Sequence, residues 1–354
     1  MNLPTQQIGS IPRPSALLDG MAAHAAGTVS ADGLAALFDA ALRETIQRLE
    51  ATGSPIITDG EQTKPSFATY PVEGSGQYAA DGAVLSFADG HSRQLPKLVA
   101  GPFRYEVHAD SYLRAAQKYA SVPVKQAVIA PSALSLLYPP DGIPDYPREA
   151  FLADLLDEAE VDVRRCLDAG AAVVQLDFTE GRLSLKLDPS GGLLSSFVEL
   201  NNRLLERFSD EERARIGLHT CPGGDINSTH SLDVDYARLL PDLLRIRAGN
   251  VYIQLASEAD PRRVLEIAAK HLRKDQRLFV GVIDPIDQAV ETPETVRDRV
   301  LLAAEYIAPE QLGTCDDCGF SPFADDVSTS REVAFAKIAA RVQGTALAAE
   351  RLGL

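Results

Sequence analysis

The stretch "EVDVRRCLDAGAAVVQLDF", Glu160 to Phe178, carries the pattern from which the fold can be read. A segment of helical period stops at Gly170, a residue type that ends helices readily. An apolar, β-branched run follows and leads to a carboxylate, Asp177. Cys166 lies in the helical part and reads as packing. The same unit recurs along the chain. Strands are expected at Gln6 to Ser10, Ile56 to Asp59, Lys125 to Ala130, Ala172 to Phe178, Ile216 to Thr220, Val251 to Ala256, Leu278 to Ile283 and Gln311 to Thr314. Helices are expected at Ala31 to Ala51, Ala109 to Tyr119, Arg148 to Ala169, Leu193 to Arg207, Asp233 to Arg247, Pro261 to His271, Pro293 to Ile307 and Ser328 to Leu352. Thr292 and Pro293 supply a cap and a first helical residue.

Strands that alternate with helices through short connections imply a parallel sheet with crossover helices. Eight such units favour a closed (β/α)8 TIM barrel over an open doubly wound sheet. The α/β chain therefore reads as a single domain, 1–354. The exception to the alternation is the stretch 64–108, rich in Gly, Tyr, Pro and short β-like runs. It reads as a hairpin-like insertion in the second βα loop, at the mouth of the barrel. No internal repeat, low-complexity tract or linker divides the chain.

Composition narrows the function. The chain has 354 residues, and its hydrophobic fraction of 45% suits a globular protein with a sizeable core. Its formal net charge of -16 argues against nucleic acid, whose binding rests on Lys and Arg neutralising phosphates. A small-molecule substrate is expected instead. No run approaches the roughly 20 apolar residues of a membrane span, and "MNLPTQQIGS" has neither the basic nor the apolar region of a signal peptide. The expected location is the cytoplasm. Four cysteines, Cys166, Cys221, Cys315 and Cys318, are too few for a disulfide framework.

In a (β/α)8 barrel the chemistry sits at the C-terminal ends of the strands. Ser10 ends the first expected strand; Asp59 and Glu61 follow the second; Asp177 ends the fourth; His219 and Cys221 end the fifth; Glu258 follows the sixth; Asp284 ends the seventh; and "TCDDCG", with Cys315 and Cys318, ends the eighth. His219 and Cys221 are two residues apart in an extended segment, so both point to one side. With Cys318 and a carboxylate such as Glu258 they make a soft N, S and O donor set suited to Zn2+. Asp317 is a candidate to orient His219 from behind. Three other readings stay open: His219 and Cys221 as buried core residues, Cys315 and Cys318 as a redox pair, and Cys315 as the fourth ligand of a closed structural zinc site.

The ordered segments "IGSIPRP", "DGEQ", "QLD", "HTC", "GVIDP…VETPE" and "DDCGFSPF" resemble the C-terminal catalytic barrel of cobalamin-independent methionine synthase and the single-barrel relatives of that family. The resemblance runs from about Ile8 to about Leu352. It implies that His219, Cys221 and Cys318 bind zinc, with Glu258 as the carboxylate ligand. It also implies that Ser10, Glu61 and Asp177 hold the amino and carboxylate groups of homocysteine; two carboxylates suit an ammonium, and a serine hydroxyl suits a carboxylate.

The activity implied is zinc-dependent methyl or alkyl transfer to a thiol, most simply methionine formation from homocysteine, with methyltetrahydrofolate or a methyl-corrinoid as donor, the latter implying a corrinoid protein as partner. The chain departs from the family pattern in two ways: "GVIDPIDQAVETPE" lacks the histidine proposed as proton donor, and the chain has no tryptophan for a pterin to stack on. His230, after the "PGGDINST" loop, is the remaining candidate acid. The alternatives are a zinc-dependent epoxide–thiol transferase or lyase of the coenzyme M type, and a degenerate barrel that keeps a structural zinc and acts as a binding module.

Overall fold

The computed structural model describes residues 3–354. Six parallel strands form one sheet: Gln126–Ile129, Val174–Asp177, Ile216–Thr220, Asn250–Ile253, Arg277–Ile283 and Leu312–Asp316. Each is hydrogen-bonded to the next along the chain. Apart from Arg277 every residue in them is buried, as expected of a parallel sheet covered on both faces.

The two remaining expected strands, Gln6 to Ser10 and Ile56 to Asp59, do not form regular ladders. Each side of the sheet instead gains one parallel bridge, Thr5 to Thr314 at one edge and Ile57 to Val124 at the other. The reason lies in who takes the carbonyls. Gln7 O accepts from Lys125 Nζ, Ile8 O from Gln175 Nε2 at 3.1 Å, and Gly9 O from Thr58 Oγ1 at 2.9 Å, so side chains replace a partner strand.

Helix ends follow their caps. Ser30 accepts from Gly33 N, Asp260 from Arg263 N and Thr292 from Thr295 N, the last two with proline in the first turn. The stretch 233–247, expected as one helix, is instead a 3-10 turn at Tyr236–Arg238 followed by the single helical turn Leu240–Leu243. Pro241 lacks the N–H that a continuous helix would need there. Helices Ser15–Ala25 and Glu180–Leu187 form where none was expected.

Within 64–108 lie two antiparallel pairs, Tyr78–Ala79 with Lys97–Leu98 and Val84–Ser86 with Ser92–Gln94. The inner pair is tied to the loop after Ile216–Thr220: Arg93 Nε lies 2.5 Å from Asp225 Oδ2, and His91 Nε2 lies 3.2 Å from the same oxygen. Arg93 also reaches Asp325 at 2.8 Å.

On the inner side of the sheet, missing side chains make room for aromatic ones. A Cβ at Gly217 would lie 2.5 Å from the Tyr252 ring, and one at Gly313 2.6 Å from the Phe279 ring. The two rings stack at 4.6 Å. Gly281 does the same for a carboxylate, since a Cβ there would lie 1.8 Å from Asp317 Oδ1. Asp317 accepts from the N–H groups of Leu255, Ala256 and Ser257 at 2.8, 2.9 and 2.8 Å, and from the Ser257 hydroxyl at 2.7 Å. Gly281→Ala is therefore expected to expel Asp317 and leave those donors unmet. The stability loss should be on the order of 2–4 kcal/mol, read as a lower urea midpoint; an unchanged midpoint would contradict it.

Candidate functional site

His219 sits in Ile216–Thr220 directly opposite Asp177 in the register of the neighbouring strand. Parallel partners project to the same face, which brings His219 Nδ1 within 3.1 Å of Asp177 Oδ1. Gln175, two residues before Asp177 and so on the same face, donates to that oxygen at 2.8 Å and fixes it. His219 Nε2 is then turned the other way, buried and without a hydrogen-bond partner. Cys221 follows one residue after the strand end, and Cys318 comes from the loop after Leu312–Asp316. Their Sγ atoms are 2.9 Å apart, well beyond the 2.03–2.05 Å of a disulfide. Ligand atoms of His219, Cys221 and Cys318 all lie within 4.8 Å of one another, and all three residues are buried.

The electrostatics agree with a cation site. Burial alone would keep the His219 imidazole neutral, yet Asp177 and Cys318 outweigh it and raise its pKa to about 9. The neighbours that attract a proton would attract a metal ion. The Cys221 thiol and His219 hold Cys318 well below the usual thiol range, while Cys318 and burial push Cys221 up, so the pair favours one thiolate. An unmet imidazole nitrogen beside two thiols is a donor set that fits Zn2+.

These residues line one pocket together with Ser10, Glu61 and Asp177. The structure thus brings six of the expected site residues to one place. Glu61 has a left-handed backbone, φ 54°, after Gly60 at φ 62°. Its N–H donates to Asp59 Oδ1 at 3.1 Å, which makes Asp59 the anchor of an Asx turn. Burial pushes the Glu61 carboxyl up to about 7 against the pull of Lys64, whose Nζ is 3.4 Å away. Ser10 Oγ accepts from Ser321 N at 3.1 Å. Phe67, Thr179 and Pro322 also line it; none was singled out by itself, though Pro322 lies in "DDCGFSPF" and Phe67 in the stretch 64–108.

Several expected residues are placed elsewhere. Glu258 does not join the group; it pairs with Arg182 at 2.7 Å, because a loop residue five beyond the Asn250–Ile253 strand is free to turn toward that buried guanidinium. Asp317 does not orient His219, being engaged by the strand-end N–H groups described above; Asp177 has that position. Cys315 faces a separate cluster with Ile8, Tyr252 and Phe279, and its Sγ lies 3.6 Å from Phe279 O. Asp284 caps Ile286 N at 3.0 Å. His230 is buried behind Gly223, with Nδ1 2.5 Å from Ser231 Oγ, and burial with Lys186 pulls its pKa down to about 4. A proton is held too weakly there for an acid at neutral pH.

The model of the family described as cobalamin-independent synthase, catalytic domain, matches residues 3–341. The chain belongs to this family. Among relatives of the cobalamin-independent synthase family, it is 23% identical to a methionine synthase of Sulfurisphaera tokodaii over 99% of this chain and 94% of that protein. It is 25% identical to a methionine synthase of Saccharolobus solfataricus over 99% and 96%. Among solved structures, a B12-independent methionine synthase from a Shewanella species in complex with selenomethionine has the same fold, with a TM-score of 0.76, 19% identity and 99% of both chains covered. A putative vitamin-B12 independent methionine synthase from Listeria monocytogenes gives 0.72, 18% and 98% of both. Among the described residues no helix is long and apolar enough to cross a membrane.

If Asp177 fixes the tautomer of His219, Asp177→Asn should weaken zinc affinity about 10–100-fold without unfolding the chain. Competition with a chromophoric chelator measures this; unchanged affinity would exclude the orienting role.

Proposed function

We propose that this chain is a zinc-dependent thiol methyltransferase whose acceptor is homocysteine, the product being methionine. The observation that carries the reading is the convergence of His219, Cys221 and Cys318 on the cavity that Ser10, Glu61 and Asp177 also line. The named relatives are methionine synthases, which supports the same acceptor. We further take the six-stranded sheet, with its bridges at Thr5 and Ile57, to be the greater part of a closed eight-stranded barrel in a single domain. The stretch 64–108 is then an insertion that covers its mouth.

Zinc held by the three side chains would act as a Lewis acid that keeps a thiol ionised at neutral pH. Asp177 accepts the Nδ1–H of His219 and leaves the Nε2 lone pair for the metal. His219, Cys221 and Cys318 would hold the ion with three side chains, so that a substrate thiol could join them, which a closed structural site would not allow. Glu61 and Asp177 offer carboxylate oxygens to the ammonium. Ser10, which accepts from Ser321 N, keeps its own hydroxyl hydrogen for the substrate carboxylate. Ile8, Phe67 and Pro322 restrict water at the sulfur.

Zinc counting and zinc K-edge absorption test the site. Cys221→Ala and Cys318→Ala should lose stoichiometric zinc and Cys315→Ala should keep it. L-Homocysteine should add one sulfur to the coordination shell, while coenzyme M should add none. Retained zinc in the Cys221 variant, or a shell already filled by sulfur, would overturn the reading.

Glu61 adds a pH signature. Its carboxyl is neutral below about 7 and charged above it, so preference for an ammonium should appear as pH rises. The affinity ratio of L-homocysteine to its amino-free analogue 4-mercaptobutanoate should climb roughly tenfold between pH 6 and 8, the scale of one charge-assisted hydrogen bond. In Glu61→Gln the ratio should stay flat. A flat ratio in the unaltered protein would remove Glu61 from ammonium binding.

A further inference from the structure

Lys125 is fully buried, one residue ahead of the strand Gln126–Ile129. Its Nζ donates to Gln7 O and, at 2.8 Å, to Gln175 Oε1, and it lies 4.5 Å from the centre of the Tyr252 ring. None of these partners is a carboxylate. The Tyr252 hydroxyl is itself committed, donating to Gln6 Oε1 at 2.7 Å. Burial pulls the amine down to about 7, and either of its forms has the two hydrogens that the two oxygens need. A buried amine with no opposite charge beside it is costly, so what it holds in place matters.

It holds an amide. Gln175 Nε2 lies 3.1 Å from Ile8 O and 2.8 Å from Asp177 Oδ1, while Gln175 Oε1 meets Lys125. Turned over, the amide would set its oxygen against a backbone carbonyl and a carboxylate. One orientation survives, with both Nε2 hydrogens used and the oxygen resting on the amine. Asp177 Oδ1 in turn faces His219 Nδ1 at 3.1 Å. Lys125, Gln175, Asp177 and His219 therefore form a single file across three adjacent strands, in which Ala127 stands opposite Gln175 and Asp177 opposite His219. The same amine and amide hold Gln7 O and Ile8 O, which ties the segment leading to Ser10 to this file.

We propose that Lys125 is a positioning residue for His219: by holding the Gln175 amide it holds the Asp177 carboxylate, and so fixes the direction in which the imidazole presents Nε2. The inference rests on the thiol-methyltransferase reading for the ion that Nε2 would meet. Without the amine, Gln175 Oε1 becomes a buried acceptor with no donor, and the amide gains by turning away from Asp177 toward one. Asp177 Oδ1 then keeps only the imidazole as donor, and the ring loses its fixed seat. A merely structural lysine would differ. It would support the Gln7 carbonyl alone, and its removal would loosen that segment while the amide and the imidazole stayed as they are.

The test is NMR on the full chain labelled with nitrogen-15, metal-free and zinc-loaded, together with zinc affinity from chelator competition. In the unaltered protein the two Gln175 Nε2 hydrogens should exchange slowly with water, and the His219 Nδ1–H should give its own downfield signal. In Lys125→Met the Gln175 hydrogens should lose protection and the His219 signal should move. Zinc affinity should fall about tenfold, the lower end of what partners behind a metal ligand cost. In a Gln175→Met background the further change Lys125→Met should alter zinc affinity less than about twofold, since the link it acts through is already gone. That pair also serves if Lys125→Met alone fails to fold, because two apolar replacements leave neither partner unpaired. The inference is overturned if the Gln175 hydrogens exchange freely in the unaltered protein, if Lys125→Met leaves the amide and imidazole signals in place, or if it costs more than twofold in the Gln175→Met background. A zinc count on the unaltered protein keeps the two readings apart. No zinc bound refutes the thiol site, while the signals of the metal-free chain still decide whether Lys125 sets the imidazole.

Discussion

The contact between Asp177 and His219 is the constraint on which the rest of the site depends. Both groups are buried, and a carboxylate in that position is tolerable only while hydrogen-bond donors face it. Gln175 and His219 are those donors. Because the two partners stand opposite each other in adjacent parallel strands, the direction of the imidazole is set by sheet register rather than by a mobile loop. One ring nitrogen is thereby committed, and the other is left for a ligand. Everything soft in the site is arranged around that second nitrogen.

Charge is distributed in the neighbouring space with the same economy. The thiol cavity gathers carboxylates and no lysine or arginine among its lining residues, while Lys64 sits behind Glu61 and moderates it. The adjoining space is lined almost wholly by apolar side chains, with Glu180 and His230 as its titratable residues. Arg93 and His91 on Asp225 tie the hairpin of 84–94 to the loop that follows Cys221, so that hairpin and the neighbourhood of Cys221 belong to one connected structure.

The six sheet strands and the shared direction of His219 and Cys221 were legible because short-range rules govern them. A two-residue spacing at a strand end puts His219 and Cys221 on one face whatever the tertiary context. Glu258 could not be placed from the sequence, because a loop residue beyond a strand has no fixed direction; in the structure it pairs with Arg182. Asp177 was legible as a site residue but not as the orienter of His219, since register between strands separated by a helix is invisible in either segment alone. The strands at Gln6 and Ile56 were overcalled for a related reason: their pattern is extended, but Lys125, Gln175 and Thr58, remote in sequence or on the facing segment, take the carbonyls that a ladder would use. Proline at 241 was visible, and its power to break the helix was underweighted against the apolar period around it.

The three side chains that could hold a metal ion come from segments far apart in the chain. Cys221 and Cys318 are 97 residues apart, and His219 lies on the same strand end as Cys221. An ion that held all three would tie off a loop comparable to one closed by a long-range covalent cross-link, for which chain-entropy treatments give about 4.7 kcal/mol at about 100 residues. The reactive centre would then double as a clasp between the middle of the chain and its end. A newly made chain would complete such a centre only after Cys318 had emerged, and scarcity of the ion would first loosen the two loops that carry Cys221 and Cys318.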